Sequence, residues 1–340
     1  MRVQFRIDHP SQVDRSVHAI TALVSDGHRV GICVRHDDAV SARLEAAAFE
    51  HTVLTTSPPS PLGSTAQRLF GTVRLGRYTR AFDPSVIVSQ STPAVRAARR
   101  LTGARLVTWN EPTTADGEAI SAELYGAAAR YHADWSSPDE AVREHHSVDE
   151  PEAYTIARFT AKASPYNTPQ EGLSRRTKQR LVETLATVGR VYVDNVDDPH
   201  PALAASRITV PPRETPDLAC GASLVVTDSA RVAVGSALCG APTVYAHLAE
   251  GDPVPDPVDE LAARDLVRLA VGDGEARSTV EVLAADTDRE AIWERRLTRF
   301  REAIGDPTTE LLEAVLGSTD DSRQATAATP PVDETGIEPT

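Results

Sequence analysis

The sequence predicts two doubly wound α/β domains, each a parallel sheet covered by helices on both faces. Three observations carry this reading. The chain has 340 residues, enough for two domains of about 150 residues each. Short apolar runs alternate with helical patterns of about 10–15 residues, the signature of parallel strands joined by right-handed crossovers. That alternation then stops at a polar stretch near mid-chain and starts again.

In the first half the strand candidates are 3–7, 29–34, 52–56, 85–89 and 105–109, with helices near 12–25, 38–48, 64–80, 93–101 and 119–131. Asp26-Gly27 and Thr102-Gly103 close the first and fourth helices with glycine, which adopts the left-handed conformation at helix ends without strain. Asp134–Ser137 reads as a further strand start, and His145–Pro151, polar and rich in acids, marks the junction. The second half opens with a strand over Tyr154–Phe159 and a polar loop. Ser174 then caps a helix to Val188, and strands follow at 190–194 and 224–227. The last of these leads into a small-residue helix, Ala230–Cys239, and then a strand around Val244. Helices near 289–304 and 308–316 finish the fold. The boundaries expected are 1–150, 151–316, and a disordered acidic tail over 317–340, which lacks apolar spacing.

Composition excludes several classes of function. Net charge is −14, and no basic stripe is available to release phosphate counterions, so nucleic acid is not an expected partner. No apolar run approaches the ~20 residues of a membrane span. The N-terminus reads as a strand and not as a signal peptide. A cytoplasmic protein with at most peripheral membrane contact is expected. The cations are arginines apart from Lys162 and Lys178, and with the acidic excess this composition fits a salt-rich, halophilic cytoplasm. At molar salt the Debye length is about 3 Å, so surface repulsion is largely screened. Cys33, Cys220 and Cys239 lack metal spacing and are expected to be buried thiols without a disulfide framework.

Loops at the carboxyl ends of parallel strands collect open N–H groups and positive helix ends, which suit a diphosphate-linked ligand. The candidate site residues lie at those ends. Asp8-His9-Pro10 closes the first strand. His9 reads either as a general base toward a hydroxyl or as a solvated loop histidine. Asp8 either orients His9 or, as favoured, caps the next helix. Gln90, Ser91, Asn110 and Glu111 end the fourth and fifth strands and would line the same edge as an acceptor side. Glu111 is the alternative base, with a structural hydrogen bond in the cleft wall the favoured role. Across the cleft, Arg158, Lys162 and Ser164 bring cations and hydroxyls that either clamp a diphosphate, as favoured, or pair with nearby acids in a surface loop. In Asp228-Ser229-Ala230, Ser229 fits an N-cap, and the neighbouring N–H groups either accept an anion or are simply capped. No Gly-x-Gly-x-x-Gly, Walker A, Gly-x-Ser-x-Gly or His-Glu-x-x-His is present, and no metal is expected.

At these residues the chain resembles domain-of-unknown-function family 354, the archaeal and bacterial glycosyltransferase-like proteins. The likeness spans roughly residues 1–316. It rests on Asp8-His9-Pro10, Gly27-His28-Arg29-Val30, Phe82-Asp83-Pro84-Ser85-Val86, Arg158-Phe159 with Lys162-Ala163-Ser164, Gly172-Leu173-Ser174, Thr227-Asp228-Ser229 and Ala237-Leu238-Cys239-Gly240-Ala241-Pro242. The resemblance implies a glycosyltransferase-B architecture with a nucleotide-sugar held mainly by the second half. It implies a glycan or lipid-linked acceptor, no further cofactor, and a role in surface glycan or glycoconjugate assembly. Nucleotide-sugar 2-epimerisation and a non-catalytic relative are the alternatives it leaves. The chain departs from the family at Gln12-Val13-Asp14, where His-Val-His is usual, and at Arg231-Val232 and Gly235, where the family has Thr-Met and a Glu. In related transferases that carboxylate would bind the ribose hydroxyls.

Overall fold

A computed structural model describes residues 1–35, 37–54, 64–108, 120–132, 134, 153–159, 173–195, 218–247 and 252–317. The side chains of 64–70, 175, 194, 195 and 247 are also outside the description. The expected strand start at 134–137, apart from Asp134, the junction at 145–151 and the tail beyond Gly317 lie outside the described residues.

The first sheet contains β1 (Arg2–Ile7), β2 (Arg29–Val34), β3 (Thr52–Val53), β4 (Val86–Ser89) and β5 (Arg105–Thr108). Its order is β3-β2-β1-β4-β5, and every described pairing is parallel. Alternate β1 residues face opposite ways. Val3, Phe5 and Ile7 enter one core with Val13, Ile20 and Leu23 of α1 (Pro10–Ser25) and with Val40 and Leu44 of α2 (Asp38–Ala46). The opposite face carries Cys33, Ile87 and Leu54 against Leu75 of α3 (Ser64–Phe82) and Val95 and Ala98 of α4 (Pro93–Thr102). Burial on both faces explains why the strands read as continuous apolar runs. Gly103, with φ +71°, ends α4 as its sequence predicts.

The second sheet holds β6 (Tyr154–Phe159), β7 (Arg190–Asn195), β8 (Leu224–Thr227), β9 (Thr243–His247) and β10 (Arg268–Val271) in the order β10-β9-β8-β6-β7, again parallel. One face packs on α6 (Arg175–Leu185) and α9 (Gly272–Ala285), with Trp293 of α10 (Arg289–Ile304) in the same core. The other packs on Val232 of α7 (Ala230–Leu238). Ser174 caps α6 through its hydroxyl, which accepts from the Thr177 N–H.

Two helices tie the halves together. α5 (Ala122–Arg130) lies along α1, and its Leu124, Tyr125 and Ala128 enter a core with Ala233, Val234 and Leu238 of α7 and with Val258 and Leu261 of α8 (Asp256–Ala263). Its N-terminus is held by the second half, where the Glu260 carboxylate accepts from the Ser121 N–H. The last helix, α11 (Pro307–Leu316), crosses back and buries Leu311 and Val315 in the core of the first sheet.

The expectation of three separate thiols is corrected. Cys220 and Cys239 form a disulfide, with Cα atoms 5.0 Å apart, and Cys33 alone is free and buried. The pairing was not legible because Cys220 precedes β8 while Cys239 follows α7, and only the fold brings those ends together.

Candidate functional site

Each sheet has a point where the chain reverses the direction in which strands are added: between β1 and β4 in the first, between β6 and β8 in the second. Crevices beyond the carboxyl ends of such strands are where open α/β sheets bind ligands. Asp8-His9 and Gln90-Ser91 leave the first of these points, while Arg158-Phe159 and Thr227-Asp228-Ser229 leave the second.

His9, not Asp8, is the N-cap of α1. Its backbone is extended, with φ −142° and ψ 144°, and its Nδ1 accepts from the Ser11 N–H at 3.3 Å while lying 2.7 Å from Ser11 Oγ. With Nδ1 occupied as an acceptor, a neutral imidazole carries its proton on Nε2. That nitrogen faces Glu123 Oε1 at 3.6 Å, an ion-pair distance longer than a hydrogen bond. Asp8 is turned away from His9 and pairs with Arg6 at 3.2 Å, and its backbone N–H donates to Gln12 Oε1. The carboxylate beside His9 is therefore Glu123, which comes from a different helix.

His9 and Glu123 line a cavity of about 280 Å³ that both halves enclose. From the first half come also Asp14, Arg43 and Arg130; from the second come Ala230 and Arg231 of the first turn of α7. Ser229 is the N-cap of α7 but makes no side-chain cap bond, and its own N–H donates to Thr227 Oγ1 at 3.0 Å. The first turn of α7, whose N–H groups have no intrahelical acceptors and no cap from the Ser229 side chain, thus borders the cavity through Ala230 and Arg231. Tyr131, at the end of α5, completes the wall. Burial pushes its phenol pKa up, opposed by the Arg130 and Arg231 guanidiniums.

The structure brings together His9 and Ala230, with Ser229 at the cavity edge. It separates others from them. Arg158 is not in a loop: it is the penultimate residue of β6 and only 8% exposed. Asp228 sits beside it, donating its N–H to the Arg158 carbonyl at 3.4 Å. Gln90 and Ser91 are exposed at the end of β4, where Arg96 donates to the Ser91 carbonyl and hydroxyl, and they do not line the cavity. Asn110, Glu111, Lys162 and Ser164 lie outside the described residues.

Sequence reasoning missed Glu123, Arg130, Asp14, Arg43 and Arg231. A signal for the first two existed. Glu123, Ala127 and Arg130 fall at i, i+4 and i+7 of an otherwise small and apolar helix, which puts them on one face. Among the described residues one group has metal-ligand spacing: His132, Asp134 and Asp306, with ligand atoms all within 4.8 Å of one another. None of the three lines the cavity, and Asp306 is already engaged in capping α11.

Two doubly wound domains enclosing one crevice, with a C-terminal helix returning to the first, define the glycosyltransferase-B class of fold. Solved structures to which the chain is similar share it. They include a UDP-GlcNAc 2-epimerase from Neisseria meningitidis bound to UDP-GlcNAc, with TM-score 0.60 and 11% identity over 94% of this chain and 100% of that one. They also include the glycosyltransferase VinC in complex with dTDP, with TM-score 0.56 and 14% identity over 93% of this chain and 99% of that one. A third is SsfS6, a glycosyltransferase of Streptomyces sp. SF2575, with TM-score 0.52 and 12% identity over 92% and 99%. No family model and no curated protein matches the sequence. No helix among the described residues is long and apolar enough to cross a membrane.

Proposed function

We propose that this chain is a glycosyltransferase that takes a sugar from a nucleoside-diphosphate donor and needs no metal or further cofactor. It acts in surface glycan or glycoconjugate assembly, in keeping with the resemblance to domain-of-unknown-function family 354. The observation that carries the reading is the placement of the His9–Glu123 pair and the uncapped first turn of α7 on one cavity. Two solved structures of similar fold hold UDP-GlcNAc and dTDP, which supports a nucleotide at this crevice.

The step balances with the groups present. An acceptor hydroxyl attacks the anomeric carbon of the donor, and the bond from that carbon to the diphosphate oxygen breaks. The hydroxyl proton passes to the His9–Glu123 pair. Because Nδ1 of His9 is held by Ser11, the carboxylate of Glu123 is the group open to receive it, with His9 Nε2–H turned toward that carboxylate. Catalytic hydrogen bonds are often long before substrate binds, so a 3.6 Å separation suits a site awaiting closure. The departing diphosphate gains charge against the N–H groups of Ala230 and Arg231 and the Arg231 guanidinium. Gly235 is buried within α7 and offers no carboxylate to the ribose, so the base and phosphates carry more of the donor affinity.

A panel of UDP- and dTDP-sugars in a thermal-shift assay tests the reading. A donor at 100 times its dissociation constant adds about 2.7 kcal/mol of stability. Glu123→Gln and His9→Ala should each lower turnover by about 10²–10⁴ while keeping that shift. Absence of a shift with every nucleotide would instead favour a non-catalytic protein of the same fold. Epimerisation is the second reading, favoured by the neighbour bound to UDP-GlcNAc. A labelled donor incubated without acceptor separates the two, since only an epimerase converts it.

A further inference from the structure

The cavity wall supplied by the first half is built around one shared carboxylate. Asp14, in the second turn of α1, pairs through Oδ2 with Arg43 of α2, and its Oδ1 lies 3.3 Å from Arg130 of α5. Its own side chain is 16% exposed, yet the two arginine side chains it orients stay 38% and 32% exposed. Arg130 is fixed at both ends: its carbonyl accepts from His18 Nε2 at 2.8 Å, and its guanidinium lies 6.0 Å from the centre of the Tyr131 ring. On this wall Arg43 and Arg130 are matched by Asp14 and Glu123, and Arg231 of α7 tips the cavity as a whole to a surplus of one positive charge.

We infer that this wall binds an anionic group, a carboxylate or phosphate, on the molecule that enters from the first half, apart from any diphosphate at α7. The inference rests on the glycosyltransferase reading for calling that molecule the acceptor, but the anion site stands on its own geometry. Guanidiniums already held in place bind oxyanions at little ordering cost and in a planar, bidentate manner. The setting sharpens the contrast. The chain carries −14 overall, so an acidic acceptor is repelled from most of the surface and drawn to a cavity whose described lining holds three arginines against two acids. A neutral sugar would leave these exposed guanidiniums to water.

The test uses the full-length protein at low salt, saturated with UDP, and isothermal titration with three probes: glucuronate for a carboxylate, glucose 6-phosphate for a phosphate, and glucose as the neutral control. At least one charged probe should bind tenfold or more tighter than glucose, and the stronger of the two names the acceptor's charged group. Arg43→Met and Arg130→Met should each remove most of that preference. Asp14→Asn should strengthen it, because the wall gains a net charge, whereas a purely structural salt bridge predicts no gain. Thermal melts identify any variant that fails to fold, and the wild-type probe comparison decides in that case. Equal binding of all three probes overturns the inference, and so does a charged-probe preference that survives both arginine substitutions. Failure of UDP to bind removes the donor reading alone, since the charged probes can still be titrated and compared.

Discussion

Gly126 of α5 lies directly against the backbone of Ser11 in α1. A β-carbon at Gly126 would stand 2.6 Å from the Ser11 carbonyl oxygen and 3.3 Å from its carbon. The obstruction is backbone and cannot swing away. This approach brings α5 onto the first turn of α1 and so sets Glu123, one turn earlier, opposite His9. Gly126→Ala tests the relationship because its two effects on stability oppose each other. Alanine gains about 1 kcal/mol in a helix interior, while overpacking costs about 1–3 kcal/mol. A net loss of stability is expected, with a fall in turnover larger than that loss accounts for, since His9 and Glu123 are pushed apart. A variant more stable than the wild type in urea would show that the helices do not meet so closely.

The pH dependence of stability has an identifiable contributor in His18. Burial lowers its pKa from the ordinary value of 6.5, only partly opposed by its hydrogen bond to the Arg130 carbonyl. The folded chain therefore prefers the neutral ring, and the unfolded chain binds a proton more readily. Stability is full above about pH 6.5 and is lost as pH falls from there through the folded value. Most carboxylates titrate lower, so urea unfolding at pH 7.5 and pH 5.5 isolates the effect. His18→Gln, which keeps a donor for the carbonyl, should lose less stability between those two pH values than the wild type. Equal losses would assign the dependence elsewhere.

The cysteines give a simple count. The Cys33 thiol is buried, and burial pushes its pKa up to about 12, so the reactive thiolate is scarce at pH 8. Cys220 and Cys239 are joined. The native chain without reductant should show no thiol reacting with an aromatic disulfide reagent, the unfolded chain one, and the unfolded, reduced chain three. A bond closing a separation of 19 residues contributes about 3 kcal/mol in the chain-entropy treatment. Cys239→Ser should destabilise by about that amount.

The fold was legible because parallel strands covered on both faces leave uninterrupted apolar runs, as in Val86–Ser89 and Leu224–Thr227. No sequence expectation covered α8, β10 or α9. β10 is an edge strand with only Ala270 fully buried, and it passes into α9 at Gly272 without a loop. It therefore shows neither an apolar run nor a punctuated end. The site was legible where a strand delivers it, as at His9 and Ser229. Glu123 was hidden because its role depends on how closely α5 packs, which a missing side chain at Gly126 decides and no local pattern announces. Asp8 was read as a helix cap because Asp is a frequent N-cap, but the histidine after it takes that position and leaves Asp8 to Arg6.

The return of α11 to the first sheet makes the stability of the first half depend on the far end of the chain. Leu311 and Val315 are buried among Val3, Phe5 and Ile20, and Arg105 donates to the carbonyls of Ala314 and Val315. The Tyr125 hydroxyl donates to Glu310 at 2.8 Å, so the same helix also steadies α5. Leu311→Ala removes a side chain only 4% exposed and should cost about 2–5 kcal/mol. Val282, 69% exposed on α9, provides the contrast, and Val282→Ala should stay within about 0.5 kcal/mol of wild type. Hydrogen exchange should report the Leu311→Ala loss in β1 and α1, more than two hundred residues away in sequence, before it appears in β8 and β9. Uniform loss across both sheets would mean that the halves unfold as one unit, and protection lost only around α11 would mean that the helix is not part of the first core.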